Sequence, residues 1–218
     1  MALIYDTTMA PTKLELLAGW LPKQPWFAGD VAKLTPVGAY RFDDPVGEVG
    51  MEGHLLTAGD DVVYHVPLTY RGAPLDDGDA FLLGTSEHGV LGRRWISDAA
   101  GDPVFRGAVA ETISHGETEA EQTTGLLGDD GRPTGAETPR ERNTSLQGSG
   151  RPGYEVPDFR SATVETVGTL TRIEADLATI DLMRVVDLEI REAADQLSMQ
   201  ARWPGQAQPA ILALLYSA

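Results

Sequence analysis

Cysteine is absent from this 218-residue chain, which excludes disulfides and thiolate metal sites and agrees with a reducing compartment. Basic residues are scarce: 17 Lys and Arg against 33 Asp and Glu give a net charge of −16. A field of that sign repels nucleic acid and anionic lipid, so neither is expected as a partner. Long apolar runs are also missing, and none approaches the ~20 residues of a membrane-spanning helix. The opening MALIYDTTMAPTK has no basic stretch leading into an apolar one. No secretory signal is read there, and the protein is expected to be cytoplasmic. With 42% hydrophobic residues the chain still has enough apolar surface for a sizeable core.

Catalytic signatures are equally thin. The phosphate loop GxxxxGK[ST], the nucleophile elbow GxSxG and the zinc motif HExxH do not occur. Four histidines among many acids define no triad. No cofactor is expected, and the balance leans away from an enzyme.

Local order is easier to read. ALIYDT alternates weakly and fits a first strand. In APTKLELLAGWLP, Thr12 is placed to cap a helix, Glu15 to complete a capping box, and Pro22 to stop it. From Leu34 to Leu75 the period becomes two, and LTPVGAYRF, EVGMEGHLL and VVYHVPLTY read as an antiparallel meander. Val49, Met51, Leu55, Val62, Tyr64, Val66 and Leu68 form its expected core-facing set. Asp79 is read as capping a short helix that Gly84 ends, and RRWISD as a strand. DPVFRGAVAETISHG reads as a second helix, with Asp102 as N-cap, Pro103 at the first position and Gly116 as terminator. Segment 117–158 is rich in Gly, Pro, Thr and acids with little apolar periodicity, so a flexible linker or mobile loop is expected. From residue 159 order resumes in strands: RSATVETVGTLTRI, LATIDLMRVVD and QLSMQARWPG. QPAILALLYSA fits either a helix or a final strand.

Three groups of residues are candidates for chemistry. A tight hairpin around Gly59–Asp60 sets His54 opposite His65, with Glu52 next along. Cross-strand Cβ atoms about 5 Å apart would let the two imidazoles and the acid share a divalent ion. Alternatively the histidines are a solvated pair on an outer sheet face. In TSEHGVLGRRW, His88, Arg93, Arg94 and Trp95 are concentrated around a turn. The arginines suit a phosphate or carboxylate, or pair internally with acids. Tyr70 and Arg71 lie in a nearby strand. Trp26 and Trp203, beside prolines in expected loops, are candidates for stacking on a sugar face, whereas Trp20 belongs to the apolar stripe of the first helix.

The stretches LAGWLPKQPWFAGD (Leu17–Asp30), VPLTYRGAPL (Val66–Leu75) and LLGTSEHGVLGRRWISDAAGDPVF (Leu82–Phe105) together resemble the N-terminal cap domain of bacterial maltokinases. The resemblance covers the first half of the chain. It implies a curved antiparallel sheet with packed helices, and a link to a route in which maltose, derived from trehalose, is phosphorylated with ATP and passed into α-glucan. In that family an aminoglycoside-phosphotransferase-like kinase core follows the cap, with HGDxHxxQ and DFE-like segments. Neither is found here, although RERNTSLQ (Arg140–Gln147) distantly echoes the junction. Kinase activity is therefore not carried over.

The expectation is an α+β protein: a curved antiparallel sheet packed against two main helices, with additional C-terminal antiparallel strands. Residues 1–116 form the cap-like unit, 117–158 a linker or loop, and 159–218 a β-rich unit extending or packing on the first sheet. The expected function is that of a non-catalytic accessory or regulatory protein binding a partner enzyme of α-glucan or trehalose metabolism, or a sugar. The alternatives are a small-molecule or metal-dependent enzyme acting on a sugar or sugar phosphate, and a homo-oligomeric structural subunit.

Overall fold

A computed structural model describes residues 2–5, 7–128 and 130–217. The chain opens with β1 (Ala2–Tyr5) and β2 (Met9–Ala10), then enters α1 (Lys13–Trp20). Thr12 Oγ1 accepts from Glu15 N, and the Glu15 carboxylate returns a bond to Thr12 N, the capping box expected from the sequence. Pro22 then diverts the chain into a 3-10 turn, Leu21–Lys23. A meander follows: β3 (Thr35–Phe42), β4 (Gly50–Thr57) and β5 (Tyr64–Arg71). After a 3-10 turn at Asp79–Phe81 comes the hairpin β6 (Leu82–His88) and β7 (Gly92–Asp98). The helix expected through Leu83 is thus a single turn that gives way to a strand, because the β6 backbone pairs with β7. α2 (Pro103–His115) starts at the Asp102 cap and ends at Gly116 with φ 72°, as expected.

Segment 117–158 carries three strands where its composition pointed to a linker or loop: β8 (Gln122–Leu127), β9 (Pro133–Pro139) and β10 (Ser145–Gly148). Partners elsewhere in the chain supply what the local sequence lacks. β8 lies parallel to β1, β9 pairs with β8, and β10 pairs with β14. The buried Glu119 carboxylate receives Leu146 N at 2.7 Å. Gly148 runs so close to α2 that an added Cβ would sit 1.9 Å from the Thr112 carbonyl oxygen.

The C-terminal strands are β11 (Thr163–Val167), β12 (Leu170–Glu174), β13 (Ala178–Met183), β14 (Leu197–Trp203) and β15 (Gln206–Ser217). RSATVETVGTLTRI is therefore a hairpin turning at Gly168 (φ 59°), and the ambiguous terminal segment is a strand. Two six-stranded antiparallel sheets result, ordered β2-β6-β7-β5-β4-β3 and β10-β14-β15-β13-β12-β11, beside the small β1-β8-β9 sheet.

The first sheet is buried on both faces, which corrects the single core-facing set expected from alternation. Leu56, Tyr64, Val66, Leu68 and Ile96 pack under α1 with Leu17, Trp20, Leu21 and Trp26. Tyr40, Phe42, Met51 and Leu55 face the other way, onto Phe105, Val109 and Ile113 of α2 and onto the second sheet. The chain is an α+β protein with two main helices and additional C-terminal antiparallel strands. Among the described residues no helix is long and apolar enough to cross a membrane.

Candidate functional site

The register of β4 and β5 decides the fate of the histidines. His54 pairs with Val66 and Leu55 with His65, one residue away from the expected pairing. Residues 58–63 form a longer connection, in which the Ala58 carbonyl accepts from Asp30 N at 2.8 Å and so holds the strand end in place. A one-residue slip exchanges faces, and the two imidazoles project to opposite sides of the sheet. Among the described residues no group of His, Asp and Glu is arranged to hold a metal ion. His65 is fully buried between the Tyr40 hydroxyl (2.9 Å) and the Met183 carbonyl (3.0 Å). Burial pushes its pKa down to about 3.

His54 instead joins a polar network on the α1 side. Glu52 is two residues away on the same face and stands directly opposite Arg41 of β3. Its Oε2 accepts from Arg41 Nη2 at 3.2 Å, from the Tyr70 hydroxyl at 3.2 Å and from Lys13 Nζ. Burial alone would raise the Glu52 pKa, but the Arg41 and Lys13 charges hold it well below the carboxylate range. Burial, assisted by Glu52, lifts Tyr70 well above the phenol range, so its proton stays in place. Burial also keeps His54 neutral, with a pKa of about 4. Since the Tyr70 proton goes to Glu52, His54 Nε2–H donates to the Tyr70 oxygen at 3.2 Å.

This network underlies a cleft of about 510 Å³ formed where the N-terminal segment, the start of α1, the β3–β4 loop and the β6–β7 hairpin meet. Tyr5 and Tyr70 contribute aromatic rings, and Lys13, Arg41, Arg94 and Arg140 contribute cations. The β3–β4 loop forms an acidic wall with Asp43, Asp44 and Glu48. Asp44 organises that loop by accepting from the backbone amides of Val46, Glu48 and Val49 at 2.9–3.0 Å. Burial opposes the effect of these amides, yet its carboxyl is held below the usual range. On the hairpin, His88 Nδ1 accepts from Val90 N (3.2 Å) and Leu91 N (3.1 Å). The proton of the neutral ring therefore sits on Nε2. Burial and the cations Arg94, Lys13 and Arg41 lower the His88 pKa and favour that neutral donor. Arg94 Nη2 donates to the Leu91 carbonyl at 2.6 Å, while its buried Nε has no partner.

Of the residues singled out from sequence, Tyr70, His88 and Arg94 line this cleft, and Glu52 and His54 lie under it. The others are elsewhere. Arg71 makes a bidentate pair with the fully buried Asp102, at 2.7 and 2.8 Å, and so braces the cap of α2. Arg93 pairs across the hairpin with exposed Glu87 at 2.7 Å. Trp95 is half-buried opposite Arg71. Trp26 and Trp203, expected in exposed loops, are only 5% and 8% exposed. Trp26 stacks edge-on against Trp20, and Trp203 ends β14 inside the main core. Their neighbouring prolines mark turns whose aromatic residues fold inward. Lys13, Arg41 and Arg140 were missed because they lie far apart in sequence and converge only through the topology.

Comparison with known proteins covers much of this region. Residues 20–102 match the maltokinase N-terminal cap domain. The match spans β3 to β7 and contains Arg41, Glu52, His54, Tyr70, His88 and Arg94. No curated protein matches the chain. Residues 20–102, which carry most of the cleft and its supporting network, thus resemble the N-terminal cap domain of maltokinase.

Proposed function

We propose that this chain is a non-catalytic accessory module of α-glucan or trehalose metabolism that binds a sugar in the cleft above Glu52. The observation that carries this reading is the composition of the cleft. Its lining combines the aromatic residues Tyr5 and Tyr70 with cationic donors and carboxylate acceptors. Sugars present apolar faces to aromatic rings, and hydroxyls that both donate and accept. The network beneath is rigid and prearranged: Lys13, Arg41 and Tyr70 all converge on one carboxylate oxygen. Resemblance to the maltokinase cap supports the metabolic setting, with a pathway enzyme as partner and the cytoplasm as location.

Isothermal titration with maltose and trehalose tests the proposal. Saturable one-to-one binding is expected, weakened about tenfold in Tyr70→Ala by loss of the ring contact, with circular dichroism confirming an intact fold. Absence of measurable binding to either sugar, or to longer α-glucans, would remove the proposal.

A further inference from the structure

We infer that the cleft takes a phosphorylated sugar, with the phosphate held at its hairpin side by Arg94, Arg140, Lys13 and the Nε2–H of His88. This rests on the sugar reading above and specifies the ligand class. The cations lining the cleft, Lys13, Arg41, Arg94 and Arg140, come from separate parts of the chain: α1, β3, β7 and the segment following β9. One carboxylate, Glu52, serves Lys13 and Arg41 together. Among the described residues Arg94 is bonded only to a backbone carbonyl, and the side chain of exposed Arg140 has no partner. Among the described residues Arg94 and Arg140 are thus the cations of the cleft that no carboxylate holds, in a chain of net charge −16.

Two details indicate what the charge faces. The buried Arg94 Nε lacks an acceptor, an arrangement that a buried donor does not adopt without loss. Reorientation toward an anion would satisfy it and supply the planar fork suited to phosphate oxygens. His88, fixed as an Nε2–H donor by its two backbone bonds, adds a neutral donor beside the cations. On the opposing wall the Asp44 carboxylate is engaged by three backbone amides of its own loop rather than by Arg94 or Arg140.

The test is calorimetric titration of the full chain with glucose 1-phosphate, glucose and inorganic phosphate, in wild type, Arg94→Gln and Arg140→Gln. Glucose 1-phosphate should bind about tenfold or more tighter than glucose, the worth of one charge-assisted hydrogen bond. Added salt should narrow that gap, and so should either substitution. Arg140 is exposed, so its variant remains informative if Arg94→Gln disturbs folding. Equal affinity for glucose and glucose 1-phosphate would overturn the phosphate assignment and leave the sugar reading standing. A preference that survives both substitutions would overturn this location. Inorganic phosphate binding as tightly as the ester, or failure of all three probes, would overturn the phosphorylated-sugar assignment, while the sugar reading stands or falls with the maltose and trehalose titrations.

Discussion

Replacing Arg184 tests how the second sheet is locked to the first. Arg184 follows β13 and is 1% exposed. Its Nη2 donates to Asp98 at the end of β7 at 2.6 Å, and its Nε donates to Thr171 at 2.7 Å. The guanidinium lies 5.6 Å over the Trp26 ring beneath α1. Backbone bonds follow the same seam: His65 N donates to the Arg184 carbonyl (2.9 Å), and Val186 N to that of Val63 (2.8 Å). Arg184→Met would leave Asp98 buried with only its bond from Ala100 N. Breaking one side of a buried pair costs about 3–5 kcal/mol, and Asp98→Asn should cost a similar amount by stranding the guanidinium. The double variant removes both charges together. Its loss should therefore fall short of the sum of the single losses by about 1–3 kcal/mol. Arg184 Nη1 is buried without a partner, so the native pair is itself incompletely satisfied, which favours the double variant further. Urea unfolding followed by tryptophan fluorescence reads these values. Single losses below about 1 kcal/mol, or strict additivity, would refute the claim that this pair fastens the two sheets.

Three further outcomes are expected. His54 and His65 have pKa values depressed to about 4 and about 3, so the unfolded chain, with imidazoles near ~6.5, binds protons first as pH falls. Stability should therefore decline below about pH 6.5, by about 3 kcal/mol per pH unit with both histidines unfolded-protonated; His65→Gln should roughly halve the slope, and a flat profile from pH 7 to 5 would contradict it. Gly148→Ala should destabilise by about 3 kcal/mol through its clash with the Thr112 carbonyl, whereas Gly107→Ala, open around its Cβ in α2, should stabilise by about 0.5–1 kcal/mol. Opposite signs in differential scanning calorimetry are the check. Arg71→Ala should cost about 2 kcal/mol by leaving Asp102 without its bidentate partner, and a melting temperature unchanged from wild type would free Arg71 from its structural role.

Both helices were legible because their signals are local. Thr12 and Glu15 act within one turn, and Asp102, Pro103 and Gly116 satisfy or end α2 by their own backbone needs. The β4–β5 register was not, since alternation chooses a face only when one face is wet. Here Met51 and Leu55 face one core while Leu56 and Val66 face the other. Segment 117–158 misled for a related reason. β9 is exposed along its length and pairs only with its neighbour β8, and β10 is four residues long and is made by pairing with distant β14, so neither shows a readable period. Motif density around TSEHGVLGRRW pointed to His88 and Arg94, which the fold places in the lining of the cleft. It also highlighted Arg93, which the same hairpin turns outward to Glu87. Lys13, Arg41 and Arg140 carry no local mark; only the assembled sheets bring them to the cleft.

The central claim is that the cleft above Glu52 is a sugar site. Amide chemical-shift mapping by NMR during a maltose or trehalose titration tests it most directly. The account predicts saturable shifts concentrated at Lys13, Arg41, Tyr70, His88 and Arg94, with the C-terminal sheet unmoved. Shifts confined to the second sheet, or none at saturating sugar, would contradict it.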